Sequence, residues 1–302
     1  MQVRRDVVFA ERDGGPLLLD LVLPEAPRPA PVVLWLHGGG WFTGDRRMAP
    51  DLHRYFAARG FAMACAEYRL SGQARFPAQL HDVRAAIRFL RREAGRFGLD
   101  PAAIGLWGSS AGGHLAALAG VCGHRERLPG EPESGPAQVA AVAEGYGPVD
   151  LAAVVDGAQV SLGGEPPESR LLGGPPAELP ELARAASPLT HITPAAPPFQ
   201  IAHGTADVLV PPRQSELLHE ALRAAGVESA VHFLPGFRHG FLNPAADFDR
   251  PDVMDSGRLA AEPVEAAFRR AAPGTPEVTG RAVFSFDTIG DFFARHLTGG
   301  RA

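Results

Sequence analysis

Ala103-Ile104-Gly105-Leu106-Trp107-Gly108-Ser109-Ser110-Ala111-Gly112-Gly113-His114 is the stretch on which the reading of this chain turns. Ala103 to Trp107 is a short apolar run, which predicts a buried strand. Ala111 to Val121 is so rich in Ala and Gly that it predicts a helix packed close against its neighbours. Between the two lies Gly108-Ser109-Ser110-Ala111-Gly112, a G-x-S-x-G pattern in the strand-to-helix context that gives it meaning. A turn that tight needs small residues around the serine. It would hold the Ser110 hydroxyl at the top of a sheet, beside a helix N-terminus whose amides favour negative charge.

The rest of the chain supplies what a nucleophilic serine needs. Upstream, the apolar run Val32 to Leu36 leads into His37-Gly38-Gly39-Gly40-Trp41. Consecutive glycines let backbone come close to a bound molecule and turn amide hydrogens toward one point. The amides of Gly39, Gly40 and Ala111 are therefore the candidate donors to a developing oxyanion. His37 is expected to hold this loop by hydrogen bonds. Trp41 reads either as a wall of the substrate pocket or as core packing, and Ser109 as a second pocket residue. Among eleven histidines, His239 follows a predicted strand and precedes Gly240 in an exposed loop, so it is the candidate base. His232 and His296 fall within regular elements, and His219 on a helix expected to face solvent. Asp207, in Gly204-Thr205-Ala206-Asp207 after another strand and 32 residues before His239, would orient the imidazole and stabilise its cation. Glu144 and Asp150 suit surface or structural roles better, and Asp82 suits a helix-stabilising charge.

Working outward, Val3 to Glu11 and Leu17 to Leu23 predict an antiparallel hairpin around Asp13-Gly14-Gly15. Continuous apolar runs at Val32 to Leu36 and Phe61 to Tyr68 predict strands covered on both faces. Asp51 to Arg59 reads as a crossover helix between them. Leu80, Val83, Ile87 and Leu90 recur at helical spacing, with Arg84, Arg88, Arg91 and Arg92 mostly off that stripe, and the helix should end near Gly98. Further strands are expected at Val139 to Glu144, Phe199 to His203 and Ala230 to Leu234, with a helix from Arg213 to Ala225. Ser285 should cap a last helix carrying Phe286, Ile289, Phe292, Phe293 and Leu297. This alternation predicts an α/β fold with a mostly parallel central sheet and helices on both faces. The 302 residues read as a single catalytic domain, 1–302, with insertions at about 157–198 and 241–284.

Phe241 to Phe284 is expected to cover the mouth of the site. Phe241, Leu242 and Phe248 would offer apolar contact, Pro244, Pro251 and Pro263 would stiffen the path, and Gly257 to Arg270 reads as a short amphipathic helix. A surface decoration or a homodimer contact is the competing reading of the same segment.

Composition narrows the classes of partner. A formal net charge of -5 without basic runs argues against nucleic acid. Cys65 and Cys122 read as free core thiols, and nothing suggests a metal site or a cofactor. No stretch reaches the length of a membrane span, and Met1 to Gly15 lacks a leader-like apolar run, which predicts a cytoplasmic protein.

Taken together, His37-Gly38-Gly39-Gly40-Trp41, Tyr68-Arg69-Leu70, Gly108 to His114, His203 to Asp207 and His239-Gly240-Phe241 resemble the α/β-hydrolase serine esterases. The similarity is to bacterial acetylxylan and feruloyl esterase domains and to hormone-sensitive-lipase-like carboxylesterases. It implies an α/β-hydrolase fold, a small-molecule ester substrate of short acyl chain, and Ser110, Asp207 and His239 as a catalytic triad. Only 36 residues precede His37, which favours the group without an N-terminal cap. Kynurenine formamidases resemble the chain too, as do hydrolase-like ligand-binding proteins that have lost a triad member.

Overall fold

A computed structural model of the chain describes residues 2–25, 29–158, 164–244, 250 and 252–299. Ten strands form one sheet: β1 Gln2–Arg12, β2 Gly15–Leu23, β3 Ala30–Leu36, β4 Ala62–Ala66, β5 Leu99–Ser109, β6 Ala141–Gly145, β7 Phe199–Gly204, β8 Ser229–Leu234, β9 Val264–Ala271 and β10 Val278–Phe284. Their spatial order is β1-β2-β4-β3-β5-β6-β7-β8-β9-β10. From β4 across to β8 the neighbours are parallel, whereas β1-β2, β2-β4, β8-β9 and β9-β10 are antiparallel. The helices are α1 Leu52–Tyr55, α2 Ala78–Arg92, α3 Ala94–Phe97, α4 Ala111–Val121, α5 Leu151–Gly157, α6 Pro167–Leu172, α7 Pro180–Ala186, α8 Arg213–Ala224, α9 Arg258–Ala261 and α10 Phe286–Leu297.

Alternation along the parallel strands divides the core in two. Leu34, Leu36, Leu106, Val142, Ile201 and Val231 point to the side of α2, α4 and α8, where they meet Val83, Ile87, Leu115, Leu218 and Leu222. Val33, Trp35, Met63, Trp107, Ala143 and Ala202 point to the other side, against Phe56 of the α1 region and Phe286, Phe292 and Phe293 of α10. The Trp35 and Trp107 rings meet edge to face at 4.4 Å between centroids. Cys65 and Cys122 are free and buried, one in each half. Ser285 caps α10 in a capping box with Thr288, as its position before Phe286 leads one to expect. With six parallel strands covered on both faces, this is the α/β-hydrolase fold, whose sites lie at the carboxyl ends of the strands.

Three expectations are corrected. Gly257 to Arg270 is not one amphipathic helix: only Arg258–Ala261 is helical, and Val264–Ala271 is a strand paired to β8 and then to β10. Helix and strand patterns are both compatible with Val264-Glu265-Ala266-Ala267-Phe268, and the open edge of β8 decides, since its backbone groups need partners. The stretch 264–284 therefore widens the sheet instead of covering a mouth, and Phe241 and Leu242 are core residues. Phe248 and Pro251 lie outside the described residues. The crossover helix at Asp51 to Arg59 shrinks to α1 and one 3-10 turn, because Phe56 leaves helical geometry to enter the core beside Trp107.

The arginines of α2 show what the spacing left open. Arg84 and Arg88 are buried: they share the carboxylate of Glu131 and donate to the carbonyls of Cys122, Arg125, Glu126 and Gly135. A segment without regular structure thus has its carbonyls satisfied by guanidinium groups. Third, Asp82 does not serve as a helix-terminus charge. It is fully buried and binds Arg12 and Arg69, which ties α2 to β1 and to the loop after β4.

Candidate active site

Strands β3, β5, β7 and β8 are neighbours or near neighbours and parallel, so the residues that follow them emerge at one edge: His37, Ser110, Asp207 and His239. Ser110 has φ 54 and ψ -122, a strained backbone for a residue with a side chain. The strain is held from two sides. Ser110 N donates to Gly145 O at 2.8 Å, and close packing leaves no room for side chains around the turn. A Cβ on Gly108 would overlap the backbone of Gly112, and one on Gly112 would overlap the carbonyls of Leu36 and His37. The helix of the serine thus rests directly on the strand that carries the glycine loop.

Ser110 is partly open to solvent while Ser109 and Ala111 beside it are buried. Its hydroxyl donates to His239 Nε2 at 2.8 Å. His239 Nδ1 donates in turn to Asp207 Oδ2 at 2.7 Å. The other oxygen of Asp207 accepts from the amides of Leu209 and Val210, each at 3.0 Å. Burial pushes the Asp207 carboxyl up, but the charge of His239 and the hydrogen bonds from His203 and His239 outweigh it and hold the group well below the usual carboxylate range. An ionised carboxylate fixes the tautomer in which Nε2 can accept a proton.

The glycine loop lies alongside. A Cβ on Gly38 would stand 3.3 Å from that of Ser110. Gly39 and Gly40 have φ of 108 and 57, and both are partly open, as Ser110 is. Burial lowers the His37 imidazole to about 4, against opposing contributions from Gly38 O and Asp45, so the ring is neutral. It stacks on Tyr68, whose hydroxyl donates to His37 O at 2.9 Å. His37 braces the loop, in agreement with the expectation for it.

Trp41 and Ser109 do not line an open pocket. Trp41 is buried, and its Nε1 donates to His114 Nδ1 at 3.1 Å; His114 Nε2 donates to Ala186 O at 2.7 Å. The indole therefore ties the glycine loop to the helix of Ser110. Ser109 is fully buried and donates to Asn243 Oδ1 at 2.9 Å. Nearer solvent, Pro167 lies against Gly40, and the guanidinium of Arg170 sits 4.7 Å from the centre of the Phe42 ring. Part of the 157–198 segment thus packs on the loop.

Three neighbours surround this line, of which His203 and Tyr146 were given no role from sequence. His203 Nε2 stands 3.4 Å from Asp207 Oδ2 and donates to Val210 O, while Nδ1 accepts from Ser215 Oγ. Glu144, given a surface or structural role from sequence, takes the structural one: it is buried beside Gly113 and accepts from Gly147 N, and burial raises its carboxyl to about 7 despite that bond and the nearby His203. Tyr146 is the third. Asp150 does what a structural residue was expected to do, capping α5 through the amides of Ala152 and Ala153. His219 is the opposite case: it is buried, not solvent-facing.

In sequence and in fold the chain is similar to known esterases. The BD-FAE family matches residues 19–222. Esterase LipC of Mycobacterium tuberculosis is 34% identical over 243 residues, 76% of this chain and 55% of its own length. The chain spans about half the length of the curated relatives it matches. Among solved structures, a truncated carbohydrate esterase from gut microbiota superposes with a TM-score of 0.71 at 30% identity, covering 78% of this chain and 88% of its own. Esterase 2 of Thermogutta terrifontis with propionate bound gives 0.64 at 30% identity, over 83% and 87%. The same enzyme phosphorylated by paraoxon gives 0.63 at 30% identity over the same shares. Among the described residues, no helix is long and apolar enough to cross a membrane.

Proposed function

The chain belongs to the BD-FAE family, and from that membership and the geometry above we propose that it hydrolyses carboxylic esters of short acyl chains through an acyl-enzyme on Ser110. One observation carries the reading. A continuous hydrogen-bonded line, Asp207 to His239 to Ser110, ends on a strained, partly open serine at a helix N-terminus beside a glycine loop. His239 takes the hydroxyl proton as Ser110 Oγ attacks the ester carbon, and Asp207 stabilises the imidazolium. The amides of Gly39, Gly40 and Ala111 receive the charge that builds on the carbonyl oxygen. His239 then gives its proton to the leaving alkoxide. A water deprotonated by the same imidazole frees the acid in the second half of the cycle.

The esterase names of the relatives favour esters over the amide of N-formylkynurenine, and the propionate complex of Thermogutta terrifontis esterase 2 supports a short acyl group. A fluorophosphonate probe should label Ser110, and p-nitrophenyl acetate should be hydrolysed much faster than N-formylkynurenine. Labelling elsewhere, or turnover of the amide alone, would overturn the proposal.

A further inference from the structure

Directly after β6, in Glu144-Gly145-Tyr146-Gly147-Pro148, Tyr146 adopts φ 42, a backbone region that a bulky side chain enters only under constraint. The side chain is completely buried. Its ring meets the His239 ring at 4.8 Å between centroids and 65° between planes, the Phe241 ring at 4.6 Å and 60°, and His203 at 6.4 Å. Its hydroxyl accepts from Leu242 N at 3.0 Å and bonds to the side chain of Ser109. Ser109 passes its own proton to Asn243 Oδ1. Burial pushes the Tyr146 hydroxyl up, so it stays a neutral phenol. One peptide away, Gly145 O accepts from Ser110 N, and Gly145 itself has no room for a side chain because Leu242 fills the space.

A single residue thus touches both halves of the machinery. Its main-chain neighbour holds the backbone of the serine, its hydroxyl joins the residue before that serine to the loop after His239, and its ring is the surface on which the imidazole rests. We propose that Tyr146 is a positioning residue, which sets the distance and angle between His239 and Ser110 and takes no part in proton transfer itself. The inference rests on Ser110 and His239 being the nucleophile and base. It accounts for the strained backbone, since a strain kept at a buried position is retained only if the surrounding contacts over-determine it. Misplacing a reacting group by about 1 Å is enough to lower a rate by about 100-fold.

The test compares Tyr146→Leu and Tyr146→Phe with the wild-type chain and Ser110→Ala, by steady-state kinetics on p-nitrophenyl acetate, with circular dichroism and thermal melting to establish that each variant folds. Loss of the ring should lower kcat by about 100-fold with KM within about threefold. Phenylalanine, which keeps the ring and loses the tether to Leu242, should recover about tenfold of that. A folded Tyr146→Leu with kcat within about threefold of wild type, or a loss carried by KM, overturns the inference while an inactive Ser110→Ala leaves the esterase reading standing. Activity surviving in Ser110→Ala overturns the esterase reading instead. If Tyr146→Leu does not fold, Tyr146→Phe decides alone: a kcat about tenfold lower at unchanged KM supports the inference, and a wild-type kcat sinks it.

Discussion

Among the described residues, two serine-histidine-carboxylate lines that share no residue invite comparison. In the first, Ser110, His239 and Asp207 are joined at 2.8 and 2.7 Å. In the second, Ser229 at the start of β8 donates to His219 Nδ1 at 2.9 Å, and His219 Nε2 donates to Glu277 at 2.8 Å, with Arg269 paired to the same carboxylate. By residue types and distances the two are nearly interchangeable. Everything else separates them. Ser110 is strained, partly open and placed at the N-terminus of α4 beside the glycine loop, whereas Ser229 is fully buried in an extended strand. The carboxylates differ as well: Asp207 is buried, whereas Glu277 sits at the start of the β10 edge and keeps about a quarter of its side chain in solvent. The second line is a latch that fastens the β9-β10 hairpin to α8. Hydrogen-bonded order alone does not make a nucleophile; access and a place for the oxyanion do.

Removing each hydroxyl should give the largest contrast. Ser110→Ala should lower kcat on p-nitrophenyl acetate by about 10⁴-fold or more, since the members of a triad act as a unit. Ser229→Ala should stay within about twofold of wild type; comparable losses would erase the distinction. The carboxylates come next: Asp207→Asn should lower kcat by about 10⁴-fold through the wrong imidazole tautomer, and Glu277→Gln should leave kcat unchanged in the same assay.

A third measurement separates stability from activity by pH. Burial lowers the imidazoles of His37, His114 and His232 to about 4, and lowers that of His219 as well. The unfolded chain binds protons on these residues near the free value of about 6.5, and the native state does not. Their contribution is therefore complete above about pH 6.5 and shrinks as the pH falls toward 4, by on the order of several kcal/mol in all. Asp207, held low in the native state, adds its own loss at still lower pH. Urea unfolding at pH 7 and pH 4.5 checks this, and equal midpoints would contradict it. The smallest effect is expected for Glu277→Ala: a loss of about 1 kcal/mol from the latch, or a melting temperature about 2 °C lower, at unchanged kcat.

How much of this could be read beforehand depends on whether the signal was local. The continuous apolar runs of β3, β4 and β7 and the capped α10 carry their reason in their own residues, as does the glycine-flanked Ser110. His239 and Asp207 were reachable because each follows a strand of the same parallel set. By contrast, Arg84 and Arg88 lie off an apolar stripe, and only the folded chain shows a carbonyl-rich segment, Cys122 to Gly135, lying over them. Val264 to Ala271 has no preference strong enough to resist the free edge of β8. Tyr146 gives no sign beyond glycines on both sides, since its ring and hydroxyl act on residues nearly a hundred positions away.

The bare α-carbon of Gly112 against the carbonyls of Leu36 and His37 has a consequence for how this site can be altered. With no gap between the backbone that follows Ser110 and the backbone that leads into the glycine loop, neither can be retuned by enlarging or trimming a side chain between them. On the proposed function, changes of ester preference then fall to surfaces that do not touch this seam. Pro167 and Arg170 on the outer side of the glycine loop are such a surface, and libraries aimed at new ester preferences belong there and not in the elbow.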